Sequence, residues 1–170
     1  MPALVGRADE LRRITEWLRG GKRLLTLWGA PGVGKTRLAS EVARRSQELA
    51  GMPAFVCNAA DARDADRFCA AIAAQLDVPS AGTSSTQQSM LRVSRVLAVR
   101  GPALVVVDEA GPAAAVEVAM RRWLAAASSV RFLLVSRERL RLDGESALEV
   151  SPLPIGQVTG AQSILSTTSI

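Results

Sequence analysis

The residues of this chain with the clearest chemistry are three closely spaced glycines followed by a lysine and a threonine. They occupy the segment Gly29-Ala30-Pro31-Gly32-Val33-Gly34-Lys35-Thr36. Glycine lets a backbone turn tightly and approach a ligand closely, so several N–H donors can converge on one anion. The Lys35 ammonium can reach β- and γ-phosphates, and the Thr36 hydroxyl can ligate Mg²⁺. We therefore predict a phosphate-binding loop that opens a helix, with the loop and the following Arg37 contacting a nucleotide.

A pair of carboxylates, Asp108 and Glu109, directly follows the most apolar run of the chain, residues 103–107. At the end of a buried strand, the first carboxylate can hold Mg²⁺ through water. The second can orient or deprotonate a water molecule beside the γ-phosphate. Acidic residues often follow strands without any such role. Because this pair accompanies a complete phosphate loop, we interpret Asp108 as a metal-binding residue and Glu109 as the catalytic base.

The dipeptide Ser136-Arg137 ends the next apolar run, residues 131–135. An arginine at the end of such a strand can sense the γ-phosphate, which makes Arg137 a candidate catalytic residue together with Lys35 and Glu109. An ion pair with nearby acidic residues explains Arg137 equally well from the sequence, and both interpretations stay open.

The elements that must position these groups alternate between short apolar runs and amphipathic segments. The runs predict strands, and the segments with apolar residues at three- and four-residue steps predict helices. We expect strands over 24–28, 54–57, 103–107, 131–135 and 147–150, helices over 9–19, 37–50, 64–76, 87–99 and 112–127, and a loop over 79–85. Such alternation predicts a parallel sheet with right-handed crossovers, and ligands collect beyond the carboxyl ends of its strands.

The composition, with 48% hydrophobic and 22% charged residues and a mean hydropathy of +0.17, predicts one domain with a substantial core. Cys57 and Cys69 lack metal-ligand spacing, which favours free thiols. The amino terminus carries charge at Arg7, too early for a signal peptide, and no apolar stretch reaches membrane-spanning length. We therefore expect a cytoplasmic protein without a membrane partner.

The net charge of +5 and the sequence pI of about 10.5 raise the question of a nucleic-acid partner. The arginines, however, occur as scattered pairs on predicted helices, and the chain has no tyrosine and no basic tail. We interpret these arginines as solvated helix faces and do not expect direct nucleic-acid binding.

Four segments give the chain a resemblance to a known family. They are residues 5–11, the phosphate loop continuing through 37–39, the Asp108-Glu109 strand end, and residues 135–140 leading to 148–153. Together they resemble the STAND nucleotide-binding switches, which are related to the NB-ARC modules of apoptosis and plant-immunity proteins. The ATPase modules of large bacterial transcription regulators are the most similar. The resemblance implies a three-layer α/β P-loop NTPase fold with a five-stranded parallel sheet, in which the 24–28 strand adjoins 131–135 and that strand adjoins 103–107.

The resemblance also implies a function, namely an ATP/ADP-binding switch with slow Mg²⁺-dependent ATP hydrolysis in signal transduction or transcription regulation. It implies that Val5 and Arg7 lie against adenine and ribose and that Arg137 is the sensor arginine. From the residues alone, Val5 could equally be a core anchor and Arg7 a helix-start salt bridge. A nucleotide-dependent contact with a second copy or with a partner protein also stays open.

Two departures from the family's pattern bear on these expectations. Members usually continue into a helical lid and a winged helix, often with a histidine on the diphosphate, whereas this chain has no histidine. We therefore expect a nucleotide-binding core over 1–155, followed over 156–170 by the start of a truncated lid or a polar tail. The usual threonine before Ser136 is Val135 here, which removes one hydroxyl contact.

Two other functions remain as alternatives. A small-molecule P-loop kinase would need an acceptor pocket and a mobile lid, for which Arg137, Arg139 and Arg141 are a loose candidate. A nucleic-acid-dependent P-loop ATPase would agree with the basic pI and would be stimulated by DNA in a salt-sensitive way.

Overall fold

The computed structural model describes residues 6–79, 85–111 and 113–153 of the chain. This part of the chain contains five helices and five strands. The helices are α1 (Ala8–Arg19), α2 (Lys35–Ala50), α3 (Ala65–Gln75), α4 (Thr86–Val99) and α5 (Ala113–Ala126). The strands are β1 (Leu24–Trp28), β2 (Ala54–Asn58), β3 (Ala103–Asp108), β4 (Val130–Ser136) and β5 (Glu145–Glu149). Helices and strands alternate, except that α4 directly follows α3 and β5 directly follows β4.

The five strands form one parallel sheet in the order β2-β3-β4-β1-β5. This confirms the predicted five-stranded parallel sheet and both predicted strand neighbours. β4 lies between the strand that leads into the phosphate loop and the strand that ends at Asp108. The carboxyl ends of these three central strands therefore meet at one edge of the sheet.

Helices cover both faces of the sheet and give the predicted three layers. On one face, Leu25 and Leu27 of β1 pack with Ile14 of α1 and Leu38 of α2. The opposite face packs against α3, α4 and α5, and its centre is an aromatic stack. Trp123 lies there with its ring centroid 5.8 Å from that of Phe68 and 6.4 Å from that of Phe132. The central strands are buried on both sides, which explains their continuous apolar sequences.

Apart from β1, the elements differ from their predicted boundaries by one or two residues, and the differences at α2 and β5 have a local cause. Helix α2 begins at Lys35 rather than at residue 37, because the end of the phosphate loop is also the first helical turn. Strand β5 begins at Glu145, whose carboxylate accepts hydrogen bonds from the N–H groups of Leu140 and Arg141. Val5, the predicted 156–170 segment and part of the predicted 79–85 loop lie outside the described residues.

Several arginines bind the carbonyl groups at the carboxyl ends of helices, where four backbone acceptors lack helical partners and the dipole favours a cation. These hydrogen bonds join Arg131 to Gly20 O after α1 (2.6 Å), Arg19 to Leu49 O in α2 (3.0 Å), Arg100 to Leu76 O after α3 (2.9 Å), and Arg23 to Leu124 O and Ala127 O at the end of α5 (2.8 Å each). Part of the basic charge is therefore structural.

Cys57 and Cys69 are both buried and unpaired, and burial raises the pKa of each thiol to about 12. Within the described ranges, no helix combines the length and apolar character needed to cross a membrane.

Candidate nucleotide-binding site

The phosphate loop connects β1 to α2 at the carboxyl edge of the sheet. Gly29 leaves β1 with a φ of +146°, and a Cβ atom there would lie 2.5 Å from the carbonyl oxygen of Val150. Gly34 precedes α2 with a φ of +95° in the left-handed region. Both positions therefore require glycine, for close backbone approach in one case and for backbone conformation in the other.

Lys35 is the first residue of α2, at the end of this loop, and it is buried. Its Nζ donates hydrogen bonds of 2.8 Å to the carbonyl oxygens of both Gly29 and Ala30. Burial lowers the pKa of Lys35, the positive charge of Arg137 lowers it further, and the carboxylate of Asp108 opposes this change. The ammonium is thus held where it could exchange two loop carbonyls for phosphate oxygens.

Thr36 connects the phosphate loop to the end of β3. Its hydroxyl donates a hydrogen bond of 2.9 Å to Oδ1 of Asp108, which also accepts from the backbone N–H of Glu109 at 3.1 Å. A hydroxyl and a carboxylate this close form a set of hard oxygen donors of the kind that Mg²⁺ prefers. The two residues predicted as metal-binding are therefore adjacent and fit this ion.

Glu109 lies in a left-handed backbone conformation, with a φ of +52°. For a residue that is not glycine this conformation is uncommon and requires support from its surroundings. That support is visible, since the N–H of Ala110 donates to Val135 O at 2.9 Å and the N–H of Ala59 donates to Asp108 O at 3.0 Å. The loop after β3 is thereby fixed to both neighbouring strands, with the Glu109 side chain exposed.

The end of β4 contributes Ser136 and Arg137. Ser136 is buried, and its hydroxyl accepts a hydrogen bond of 3.3 Å from the N–H of Glu138. Arg137 is exposed, and within the described part of the chain it forms no ion pair. Its positive charge lowers the pKa of Lys35 and could also bind an anion.

These elements surround one open cavity of about 800 Å³. Its lining is Pro31, Gly32, Gly34, Lys35, Thr36, Arg37, Ser40, Ala60, Glu109, Ala110, Gly111, Val135, Ser136, Arg137 and Glu138. The structure thus brings together the three predicted catalytic residues. Gly29, Ala30 and Val33 belong to the loop but do not line the cavity.

Seven lining residues were not predicted as site residues, namely Ser40, Ala60, Ala110, Gly111, Val135, Ser136 and Glu138. Ser40 follows Thr36 by one helical turn, a spacing that could have identified it. No sequence pattern identifies Gly111, because glycine is required there by a backbone group that is far away along the chain. A Cβ atom there would lie 2.2 Å from the carbonyl oxygen of Ala62.

Arg7 lies away from this cavity, between the start of α1 and the phosphate loop. Its guanidinium donates hydrogen bonds of 2.6 Å to the Glu10 carboxylate and to the carbonyl oxygen of Val33. This corresponds to the helix-start salt bridge that the residues alone left open, with an added contact to the loop. Val5, the other residue expected against adenine, lies outside the described residues.

A family model described as an AAA domain matches residues 18–141 of the chain. No curated protein matches the chain.

Solved structures share the fold at low sequence identity. Cdc6p from Pyrobaculum aerophilum is 18% identical with a TM-score of 0.69, over 89% of this chain and 47% of that one. A STAND protein with a tetratricopeptide repeat sensor from Pyrococcus horikoshii is 16% identical with a TM-score of 0.57, over 88% and 23%. Drosophila ORC bound to poly(dA/dT) DNA and Cdc6 is 12% identical with a TM-score of 0.54, over 86% and 29%. The chain spans less than half the length of each structure.

Proposed function

The chain belongs to the AAA domain family, and on that premise we propose that it is a nucleotide-driven switch core that binds ATP and ADP with Mg²⁺ and hydrolyses ATP slowly. The observation that carries the proposal is the Thr36–Asp108 hydrogen bond. It joins the phosphate loop to the acidic end of β3. Thr36 lines the cavity together with Lys35, Glu109 and Arg137, and Asp108 lies next to it through this bond.

The residues divide the chemistry between binding and hydrolysis. Backbone N–H groups of the loop and of the first turn of α2 would bind the β-phosphate, and Lys35 would move its hydrogen bonds from the loop carbonyls to β- and γ-oxygens. Thr36 and Asp108 would hold Mg²⁺, which supplies neutralisation of the phosphate charge when bound. Glu109 would accept a proton from the attacking water, and Arg137 would stabilise charge on the γ-phosphate.

The slow rate in this proposal follows from the exposure of the site. Glu109 and Arg137 are both exposed, so water surrounds the groups that should stabilise the transition state. Electrostatic stabilisation is strongest where water is excluded and the groups are preorganised. Fast turnover would therefore require a further element, from this chain or another, to cover the cavity.

The finer assignment, a STAND-type switch in signalling or transcription regulation, rests on two kinds of support. One is the set of resembling segments, which includes residues 5–11 and 135–140 in addition to the phosphate loop. The other is the fold shared with the STAND protein from Pyrococcus horikoshii. A switch requires that ADP and ATP states differ, so its partners, a second copy or another protein, would recognise one state.

A DNA-dependent ATPase is the second candidate, because Drosophila ORC, which shares the fold, was solved bound to DNA. The charge of +5 is the feature of this chain that favours it. Against it, several arginines bind helix carbonyls, including Arg23 and Arg131, and others form ion pairs along their own helices, such as Arg44 with Glu41. Our proposal is therefore a core without direct nucleic-acid contact.

Calorimetry and phosphate release test the proposal together. We expect ATP and ADP to bind, Mg²⁺ to strengthen ATP binding, and free phosphate to appear slowly. Mass measurement with ADP and with a non-hydrolysable ATP analogue then tests the switch. Failure to bind either nucleotide would overturn the whole proposal. The same mass with ADP and with the ATP analogue would contradict the switch. Strong, salt-sensitive stimulation of phosphate release by DNA would favour the second candidate.

A further inference from the structure

Arg7 is one of the few charged side chains in the described residues that is almost completely buried. The side chain of Arg7, which directly precedes α1, is 5% exposed, whereas that of Arg12 within α1 is 63% exposed. A buried guanidinium is costly unless its donors are satisfied by good partners. The hydrogen-bond partners of the Arg7 guanidinium therefore indicate its role in the structure.

Those partners belong to two separate parts of the chain. One is Glu10, three residues further along α1, whose carboxylate is itself mostly buried. The other is the carbonyl oxygen of Val33, 26 residues away in the phosphate loop. Both hydrogen bonds are 2.6 Å long, which is typical of strong charge-assisted bonds. The Glu10 carboxylate orients the guanidinium, and the Val33 carbonyl accepts a hydrogen bond from it.

Val33 occupies a sensitive position in the loop. Its carbonyl precedes Gly34, which has a φ of +95°, and Gly34 is followed directly by Lys35 and the first turn of α2. A peptide unit that rotates there would redirect an N–H group that should face the phosphates. By accepting from Arg7, the Val33 carbonyl is held outward, and the loop keeps its N–H groups turned inward.

Arg7 is also fixed from its other side. Gly6 packs so closely under Leu153, in the segment after β5, that a Cβ atom on Gly6 would lie 3.0 Å from Cδ2 of Leu153. The backbone carbonyl of Arg7 accepts the first hydrogen bond of α1, from the N–H of Leu11 at 3.0 Å. The guanidinium therefore projects from an anchored backbone towards the loop.

We propose that Arg7 is a positioning residue that fixes the conformation of the phosphate loop through the Val33 carbonyl and does not itself recognise adenine or ribose. The inference rests on the proposed nucleotide-binding function. It assigns to Arg7 a contribution to polyphosphate affinity that is independent of the base and sugar of the ligand.

The experiment compares Mg·ATP with inorganic tripolyphosphate plus Mg²⁺, measured by calorimetry on the full chain. Arg7→Met keeps much of the apolar stem and removes both hydrogen bonds, so we expect affinity for both ligands to fall equally, by about tenfold. Arg12→Met is the matched control, since it also removes a salt-bridged arginine from α1, and we expect no change for either ligand.

A second variant keeps the test decisive if Arg7→Met fails to fold. Arg7→Lys retains the charge and can donate to either acceptor, so it should lose less affinity, again equally for the two ligands. Loss for ATP alone, with tripolyphosphate unchanged, would show that Arg7 reads the nucleoside and overturn the proposal. Unchanged affinity for both ligands in a folded variant would also overturn it, whereas a parent chain that binds neither ligand would instead refute the proposed function.

Discussion

Thr36 and Asp108 are 72 residues apart in sequence and are joined by a hydrogen bond of 2.9 Å between the threonine hydroxyl and the aspartate carboxylate. The bond connects the first turn of α2 to the end of β3, across the width of the intervening strand β4. It brings two oxygen donors together, and under the proposed function these donors would hold Mg²⁺, whose contribution to binding can be measured directly.

Asp108→Asn should reduce the contribution of Mg²⁺ to ATP binding. An amide keeps the size of the side chain but removes its negative charge, so Mg²⁺ has a weaker ligand. We expect affinity for ATP with Mg²⁺ to fall by about tenfold, as for loss of one charge-assisted interaction, while affinity for ATP in EDTA stays within a few fold. Calorimetry under both conditions measures this, and an equal loss in EDTA would argue against a metal role.

Lys35→Ala should weaken nucleotide binding itself. The substitution removes the buried ammonium that should neutralise the β- and γ-phosphates, a charge-assisted contact of about 1.5–3 kcal/mol, or roughly ten- to a hundredfold in affinity. Titration with ATP and ADP measures the loss. If both nucleotides bind Lys35→Ala as tightly as the parent chain, the phosphates do not lie against this loop.

Glu109→Gln should separate hydrolysis from binding. The amide keeps the side-chain size but cannot accept the proton of the attacking water, so phosphate release should fall by about 10²-fold or more. Affinity for Mg·ATP should stay within a few fold. Hydrolysis at the parent rate would show that Glu109 is not the base, and a parent chain without turnover would indicate catalysis that depends on a further element.

The lowered pKa of Lys35 predicts a pH dependence of nucleotide affinity. Burial and the charge of Arg137 make Lys35 lose its proton at a lower pH than an ordinary lysine, whose value is 10.5. Phosphates bind the charged form, so affinity should fall as the pH rises through this lowered pKa. Lys35→Arg is the control, because a guanidinium stays charged over the same range. The nucleotide affinity of Lys35→Arg should therefore not fall over the pH range in which that of the parent chain falls.

Removal of two buried hydroxyl groups should change the free energy of unfolding in opposite directions. Thr26 in β1 is completely buried, and its hydroxyl has no hydrogen-bond partner among the described residues, so Thr26→Val should raise the free energy of unfolding by about 1 kcal/mol. Ser46 in α2 is also buried but donates to Met52 O at 2.7 Å, so Ser46→Ala should lower it by about 1 kcal/mol. Urea denaturation measures both, and destabilisation by Thr26→Val would reveal a partner for its hydroxyl.

The sequence by itself determined the local elements and the identity of the polar groups at their ends. Short continuous apolar runs such as residues 103–107, bounded by turn residues, predict strands buried on both faces, and the glycine spacing before Lys35 and Thr36 predicts a phosphate loop. These signals are local, since each depends on neighbouring residues. They predict a parallel sheet, whereas the strand order, and with it the expectation that Lys35, Asp108 and Arg137 surround one pocket, rests on the crossover rule together with the family resemblance. Lys35 and Arg137 line the cavity, and Asp108 is hydrogen-bonded to the lining residue Thr36.

Only the tertiary structure decided which distant backbone each side chain meets. The partners that Arg7 and Arg23 reach far along the chain are carbonyl groups, at Val33 in one case and at Leu124 and Ala127 in the other, and every residue type carries a carbonyl. A sequence therefore contains no letter that marks such an acceptor. Gly111 is required for the same reason, because it must approach the Ala62 carbonyl. Residue type encodes what a side chain can bind, whereas the packing of helices against the sheet determines which backbone group it reaches.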